Sequence, residues 1–455
     1  MHKIFGDKAF LKNLALLSIP IILNDIINSL INVMDTFMTG KLGAESVTAV
    51  GLGNQVFFLF TLITFGIASG ASVFMGQYWG KNDIQNIKKI LGIGYVLVFI
   101  DALLFFLVAE LIPQTVMSIY SKDPKVVEIG ANYLKIVGFS YFLTAFTVIN
   151  NAALKSTGNT FQPMLTTLVS LISNIIFNCI FIFGMKMGVQ GAAWGTLLAR
   201  SCEILLQLVL IYTRKIPIFG KFTEYFAFNR PFLKTYFKIA LPVILNETMW
   251  AVGTSIYNIA YKYSGTVAQA SLQVAGVVQN LFMVFGTGVG TACGILIANA
   301  LGSSDRQRAK DTAFKCTLIS LLLSLFFGVV LAVSAPYIIG LFDIGSLGAN
   351  YARIMLYIIS AGMLFKIVNF IFIVGILRNG GDTLFCLFAD ACSVWFVGVP
   401  MAFLGSAVLH LPIYITFALV YLEEVVKTAF TLPRILSGKW LKNIVGERNE
   451  KRHHR

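Results

Sequence analysis

Four polar residues on one apolar stretch carry the first chemical signal. Asp25, Asn28, Asn32 and Asp35 are spaced i, i+3, i+7 and i+10, which lines them along one face of a helix. Asp25 and Asp35 are ten residues apart, or about 15 Å along the axis, so they cannot share one proton directly. Farther on, Ser170, Asn174 and Asn178 repeat at i, i+4 and i+8, and Thr196 follows a Gly191-Ala192-Ala193 run. Carboxylate, amide and hydroxyl oxygens of Asp35, Asn174, Asn178 and Thr196 would make a small-cation (Na⁺) or proton site if their helices adjoin. A carboxylate in an apolar span is costly and marks a bundle interior, a partner or a water-filled cavity.

The elements that must position these residues are membrane spans. Hydrophobic residues make up 57% of the 455-residue chain and charged residues 12%, about half the charged share of a soluble domain. Apolar runs of about 20 residues or more, enough to cross the hydrocarbon, recur along the whole length. Their continuity excludes the alternating pattern of a β-barrel. The fold class is an all-α polytopic membrane protein with twelve transmembrane helices. The spans lie near 14–38, 50–76, 90–112, 127–154, 162–185, 189–213, 236–262, 271–300, 312–341, 349–377, 383–408 and 410–435.

The spans fall into two related halves. At a constant offset of 222 residues, Pro20 meets Pro242, Asn24 meets Asn246, Asp25 meets Glu247, Gly43 meets Gly265 and Asp83 meets Asp305, while Asp35 faces Tyr257. A repeat this long is a lobe of a fold. Six spans per half make the repeats parallel, related by an axis along the membrane normal. The expected divisions are an N-terminal lobe 1–213, a cytoplasmic linker 214–235, a C-terminal lobe 236–437 and a basic cytoplasmic tail 438–455. A second matched pair, Leu154 to Thr160 and Leu377 to Thr383, reads as a glycine-containing turn in each half.

The net charge of +14 is unevenly placed. Of 35 Lys and Arg, 25 fall on one face of the proposed topology or at span ends there, six likewise on the other, and four (Lys135, Arg200, Lys366 and Lys427) deeper within spans. That bias puts both termini in the cytoplasm of a multi-pass plasma-membrane protein, and it reports anionic lipid, with no nucleic-acid partner. All six cysteines lie in apolar segments without a CxxC pair and are expected to be buried thiols. Arg200 with Glu203, and Glu423 or Glu424 with Lys427, are expected to pair along their own helices. Asp101, Lys366 and Asp390 have no local partner. Asp25, Asn28, Asn32 and Glu247 are secondary polar candidates, with Asp25 and Glu247 serving in gating, in ion coupling or as struts to the opposite lobe. His453 and His454 in the tail are given no function. Pro20 and Pro242 open their spans, and Pro20 offers a bend that would move Asp35.

In combination and order, these residues resemble the multidrug and toxic compound extrusion transporters across essentially the whole chain. The carrying pieces are Leu17-Ser18-Ile19-Pro20, Val33 to Gly43, the Gly66/Gly70 to Gln77/Gly80 stretch, Lys155 to Thr160, and Phe183-Gly184 with Gly188 to Ala193. The resemblance is nearest to the DinF-like branch. It implies two pseudo-symmetric six-helix lobes in a V, and export of hydrophobic, often cationic compounds against inward H⁺ or Na⁺. It also implies a coupling site at Asp35, Asn174, Asn178 and Thr196 and a helix bend at Pro20. Several family members carry a second carboxylate where this chain has Asn178, which leaves Asp35 the one acid of that site. Glu247 lies three residues before the span-seven acid of the NorM-like branch.

The function expected is a secondary active multidrug efflux antiporter working by alternating access. It is not an enzyme: no HExxH, GxSxG or P-loop occurs. It takes no cofactor beyond its coupling ion, exports drugs or toxic metabolites, and acts as a monomer in the bilayer. Two rivals are a lipid-linked saccharide flippase of the same superfamily and an ion channel. The first calls for a strongly cationic cavity and the second for a continuous pore lining.

Overall fold

The computed structural model describes residues 7–342 and 344–446; the extreme N-terminus and the basic tail with His453 and His454 lie outside them. Twelve long helices account for most of the described residues, and no strand occurs among them. In order they are α1 (Lys8–Gly40), α2 (Ala44–Gly80), α3 (Ile84–Leu111), α4 (Pro124–Ser156), α5 (Phe161–Gly184) and α6 (Gly188–Thr213). The second set is α7 (Arg230–Ser264), α8 (Thr266–Gly302), α9 (Arg306–Ile339), α10 (Gly345–Arg378), α11 (Thr383–Val408) and α12 (Ile413–Leu436). Eleven are long and apolar enough to cross a membrane. In α12, every 18-residue stretch contains Glu423, Glu424 and Lys427, and all three are buried in the protein. Helices of 33–37 residues such as α1 and α2 run to about 50 Å, well past the ~30 Å hydrocarbon.

The duplication read from the sequence is carried into backbone detail. Asp83 caps α3 by accepting from the Asn86 amide, and Asp305 caps α9 by accepting from the Arg308 amide. After α4, Gly158 has φ +85° and its amide bonds to the Lys155 carbonyl; after α10, Gly381 has φ +83° and bonds to the Arg378 carbonyl. Glycine is needed in both because a Cβ there costs about 1–2 kcal/mol. A Cβ on Gly158 would meet open space, whereas one on Gly381 would lie 2.8 Å from Ile444 and 3.1 Å from the Lys442 carbonyl. Gly381→Ala is therefore expected to lower thermal stability more than Gly158→Ala, by about 1 kcal/mol beyond the shared strain. Parallel melting curves of the two variants check this.

The chain forms two compact units, one of Ile19–Ala240 and one of Leu241–Arg455 together with the chain up to Ser18. The two divisions are themselves 222 residues apart, and each falls two residues before a proline. Pro20 and Pro242 lie twelve residues inside α1 and α7, not at the openings of their spans. The helices begin earlier than hydropathy indicates because polar and basic first turns still satisfy their backbone helically. In the first unit, Tyr236 at the start of α7 stacks on Phe74 and Phe232 on Tyr78. The connector after α6 is held down by a short helix, Phe222–Tyr225, whose Glu224 pairs with Lys88 at 3.0 Å. The Lys88 ammonium holds the Glu224 carboxyl below its usual range. In the second unit, Asp7 bonds to Lys315 of α9.

One cysteine expectation is overturned. Cys293 of α8 and Cys316 of α9 form a disulfide, with Cα atoms 6.3 Å apart. The close packing of consecutive antiparallel helices brings together thiols 23 residues apart in sequence, a proximity no local spacing announces. The other four cysteines are free, but only Cys386 among them is buried: Cys202 and Cys392 are half-buried and Cys179 is exposed.

Candidate functional site

Within the first unit, α1 is clasped to α5 at two depths. Toward its far end, the Asn178 side-chain amide donates to Asp35 Oδ1 at 2.8 Å and to Asn174 Oδ1 at 3.3 Å. Nearer its start, the Thr167 hydroxyl lies 2.9 Å from Asn24 Oδ1 and 3.1 Å from Glu203 Oε1. Both clasps join residues 143 apart in sequence, because α1 and α5 run parallel and rise equally per residue. The eleven residues between the clasps span about 16 Å. Asn174 and Asn178 are fully buried and Asp35 is half-buried. Among the described residues, Asn174 Nδ2 and Asn178 Oδ1 have no hydrogen-bond partner. The site therefore holds one carboxylate, one paired amide and two buried polar atoms without a hydrogen-bond partner, an arrangement that a small ion or a water would complete.

Local sequence explains the arrangement. α5 changes from α- to π-helical geometry at Cys179–Gly184, immediately after Asn178, and such widened turns occur often at functional sites. α6 accommodates this turn with glycines one helical turn apart. A Cβ on Gly191 would lie 2.9 Å from the Phe181 carbonyl carbon, and one on Gly195 would collide with Asn178 Oδ1. The small residues read from the sequence as packing residues thus also set the position of a site amide. Gly195→Ala is expected to destabilise by about 1–3 kcal/mol and to push Asn178 away from Asp35. Gly51→Ala, where a Cβ meets nothing within 4 Å, is the control for both melting temperature and transport.

Of the four coupling-site candidates, Asp35, Asn174 and Asn178 are brought together by hydrogen bonds. Thr196 is half-buried on α6, one residue beyond Gly195, and joins none of these bonds. The Arg200 guanidinium and the Tyr133 phenol lie within electrostatic reach of Asp35. Asn28 donates to the Asn24 carbonyl, Asn32 is exposed, and Asp25 is half-buried with the Asn24 amide 3.5 Å away. The stripe of four is therefore a helix face and not one site. Its neighbour Asn24, 4% exposed, makes the contact to α5.

The second unit answers with a different polar cluster. Asn246, the repeat mate of Asn24, donates to Asp390 of α11 at 3.1 Å, and Lys427 of α12 pairs with Asp390 at 2.6 Å. Glu424, the partner expected along α12, is farther from Lys427 at 3.9 Å and accepts from Asn369 at 2.8 Å. Tyr257, at the position matching Asp35, bonds to Glu423. Glu247 pairs with the buried Arg378 of α10 at 2.6 Å, so it is a strut inside its own unit and not one to the opposite lobe. Asp101 accepts from Thr64 at 2.7 Å, and Lys366 sits over the Tyr421 ring. Arg200 and Glu203 pair as expected, at 2.7 Å. Apart from Asn24 itself, whose mate at the 222 offset is Asn246, no sequence signal marks the Asn24–Thr167–Glu203 clasp.

Two related six-helix halves, each with polar side chains clasped between its first, fifth and sixth helices, define a polytopic α-helical membrane protein of the transporter class. The chain belongs to the MatE family, whose model matches residues 20–180 and 242–404, once per half. It is 23% identical over 407 residues to the probable multidrug resistance protein YoeA of Bacillus subtilis, covering 87% of each chain. It is 26% identical over 413 residues to the uncharacterized transporter YisQ of the same organism, covering 88% of each. A solved MOP-superfamily transporter from Pyrococcus furiosus shares its fold with a TM-score of 0.86 at 19% identity, over 94% of this chain and 96% of that one. The family is one of multidrug efflux transporters.

Proposed function

We propose that this protein is a secondary active efflux antiporter that exports hydrophobic, often cationic compounds by alternating access, with H⁺ as the exchanged ion. The observation that carries the reading is the Asp35–Asn178 bond beside Asn174. A single carboxylate suffices to bind a proton, while Na⁺ calls for more oxygen ligands. With Asp35 ionised, its oxygen accepts the Asn178 amide and its charge attracts a cation. Protonation removes that charge and weakens the bond, so the outer clasp of α1 loosens while the Asn24–Thr167 clasp still holds. The segment beyond Asn24 is then free to repack, on a helix already softened by Pro20, which cannot donate an i to i−4 bond, and the cargo leaves. The ion shifts the equilibrium only by binding the two states unequally.

In this reading the chain works as a monomer in the plasma membrane with both termini in the cytoplasm. Purified protein in liposomes loaded with a cationic dye, under pH and Na⁺ gradients imposed one at a time, tests it. Dye movement with the pH gradient alone is expected. Ion flux without dye would mark a channel, and dye movement with Na⁺ alone would replace H⁺ as the coupling ion.

A further inference from the structure

The second unit contains a cavity of about 920 Å³ whose lining does not include Asp390 or Lys427, within the size range of ligand sites. One continuous face of α11 forms its wall, with Leu384, Phe388 and Phe396 exposed into it, and Met249 of α7 closes the side. From Leu384 to Phe396 this wall runs twelve residues, or about 18 Å. One leaflet of hydrocarbon is about 15 Å deep.

The end at the α10–α11 turn is polar. Asp382, 2% exposed, accepts from Arg434 Nε at 2.6 Å and from Lys442 Nζ at 2.5 Å. Among the described residues, two cations meet one carboxylate at that end. The Arg434 guanidinium lies over the Phe385 ring, 4.8 Å from its centroid. Among the described residues its two terminal nitrogens have no partner. A cation so placed beside apolar surface calls for an acceptor from outside the chain.

We propose that this groove binds an anionic phospholipid, with its phosphate on Arg434 and Lys442 and one acyl chain laid along α11. Contact with bulk lipid would need neither a concave wall nor a cationic head. A cationic drug would meet the wrong charge at that end. The site stands independently of the efflux reading, since its occupant is not the cargo.

Native mass spectrometry of the delipidated full chain, titrated with phosphatidylglycerol or phosphatidylcholine, tests the proposal. Phosphatidylglycerol is expected to bind roughly five- to thirtyfold more tightly, about fivefold per engaged cation. Arg434→Gln with Lys442→Gln should equalise the two lipids. Ala391→Trp, which fills the groove and leaves the Asp382 pairs in place, should weaken both by at least about tenfold. Lys12→Gln with Lys310→Gln should change neither. Equal binding of the two lipids by the unaltered chain, undiminished phosphatidylglycerol binding in Ala391→Trp, or displacement of the lipid by equimolar inorganic phosphate would each overturn it.

Discussion

Dye export driven by a pH gradient is expected to fall in Asp35→Asn by about 5–150-fold, the span of typical coupling between two ligands on one protein. The substitution keeps the size of the side chain and an oxygen that can still accept from Asn178, 2.8 Å away in the native protein. It removes the group that can gain or lose a proton. The Asn24–Thr167 clasp and the packing of α6 on α5 do not involve this side chain, so yield and melting temperature should stay close to native. Residual export should be insensitive to pH. Native pH-dependent export by a well-folded Asp35→Asn protein would remove Asp35 from the mechanism.

The largest effect on stability is expected at Lys427. The residue is 4% exposed, and its ammonium lies 2.6 Å from Asp390 and 3.9 Å from Glu424. Truncating one partner of such a buried group leaves the other uncompensated, at a cost of about 3–5 kcal/mol. For a unit of some 200 residues, Lys427→Met should lower the melting temperature by roughly 6–20 °C. The loss comes from stranded charge and not from lost volume. Asp390→Asn added to Lys427→Met should therefore recover most of it, since an amide oxygen still accepts from Asn246. A Lys427→Met melt within about 2 °C of native, or a double variant no better than the single, would show that the pair carries little of the fold's stability.

The repeat was legible because it is written in turn chemistry as well as in hydropathy. Gly158 and Gly381 recur with nearly equal positive φ, and Asp83 and Asp305 cap equivalent helices. The candidate coupling residues were legible for a related reason: a carboxylate or a run of amides in an apolar span has few bland explanations. Partner choice was not legible. Lys427 does pair along α12 with Glu424, at 3.9 Å, as the i, i+3 spacing displays, but that spacing could not show its nearer partner. In the folded chain Asp390, 37 residues earlier, comes closer. Glu247 likewise finds Arg378, and Cys293 finds Cys316, through packing that has no signature in local spacing. Pro20 seemed to open its span because hydropathy detects the apolar stretch and not the polar first turns that precede it.

Sequence alone determined the twelve helices, their grouping into two related halves and the presence of a single acid, Asp35, among the candidate coupling residues. Each of these follows from short-range properties: apolar run length, turn residues, and the cost of a charge in hydrocarbon. Tertiary structure alone decided that Asp35 bonds to Asn178, that Thr196 stands apart, that Asn24 meets Thr167 of α5, and that the second half replaces the acid with Tyr257 bonded to Glu423. A side chain's partner depends on the rotation and registry of whole helices, set by small contacts such as Gly195 against Asn178, and these are summed over the fold, not encoded at any one position.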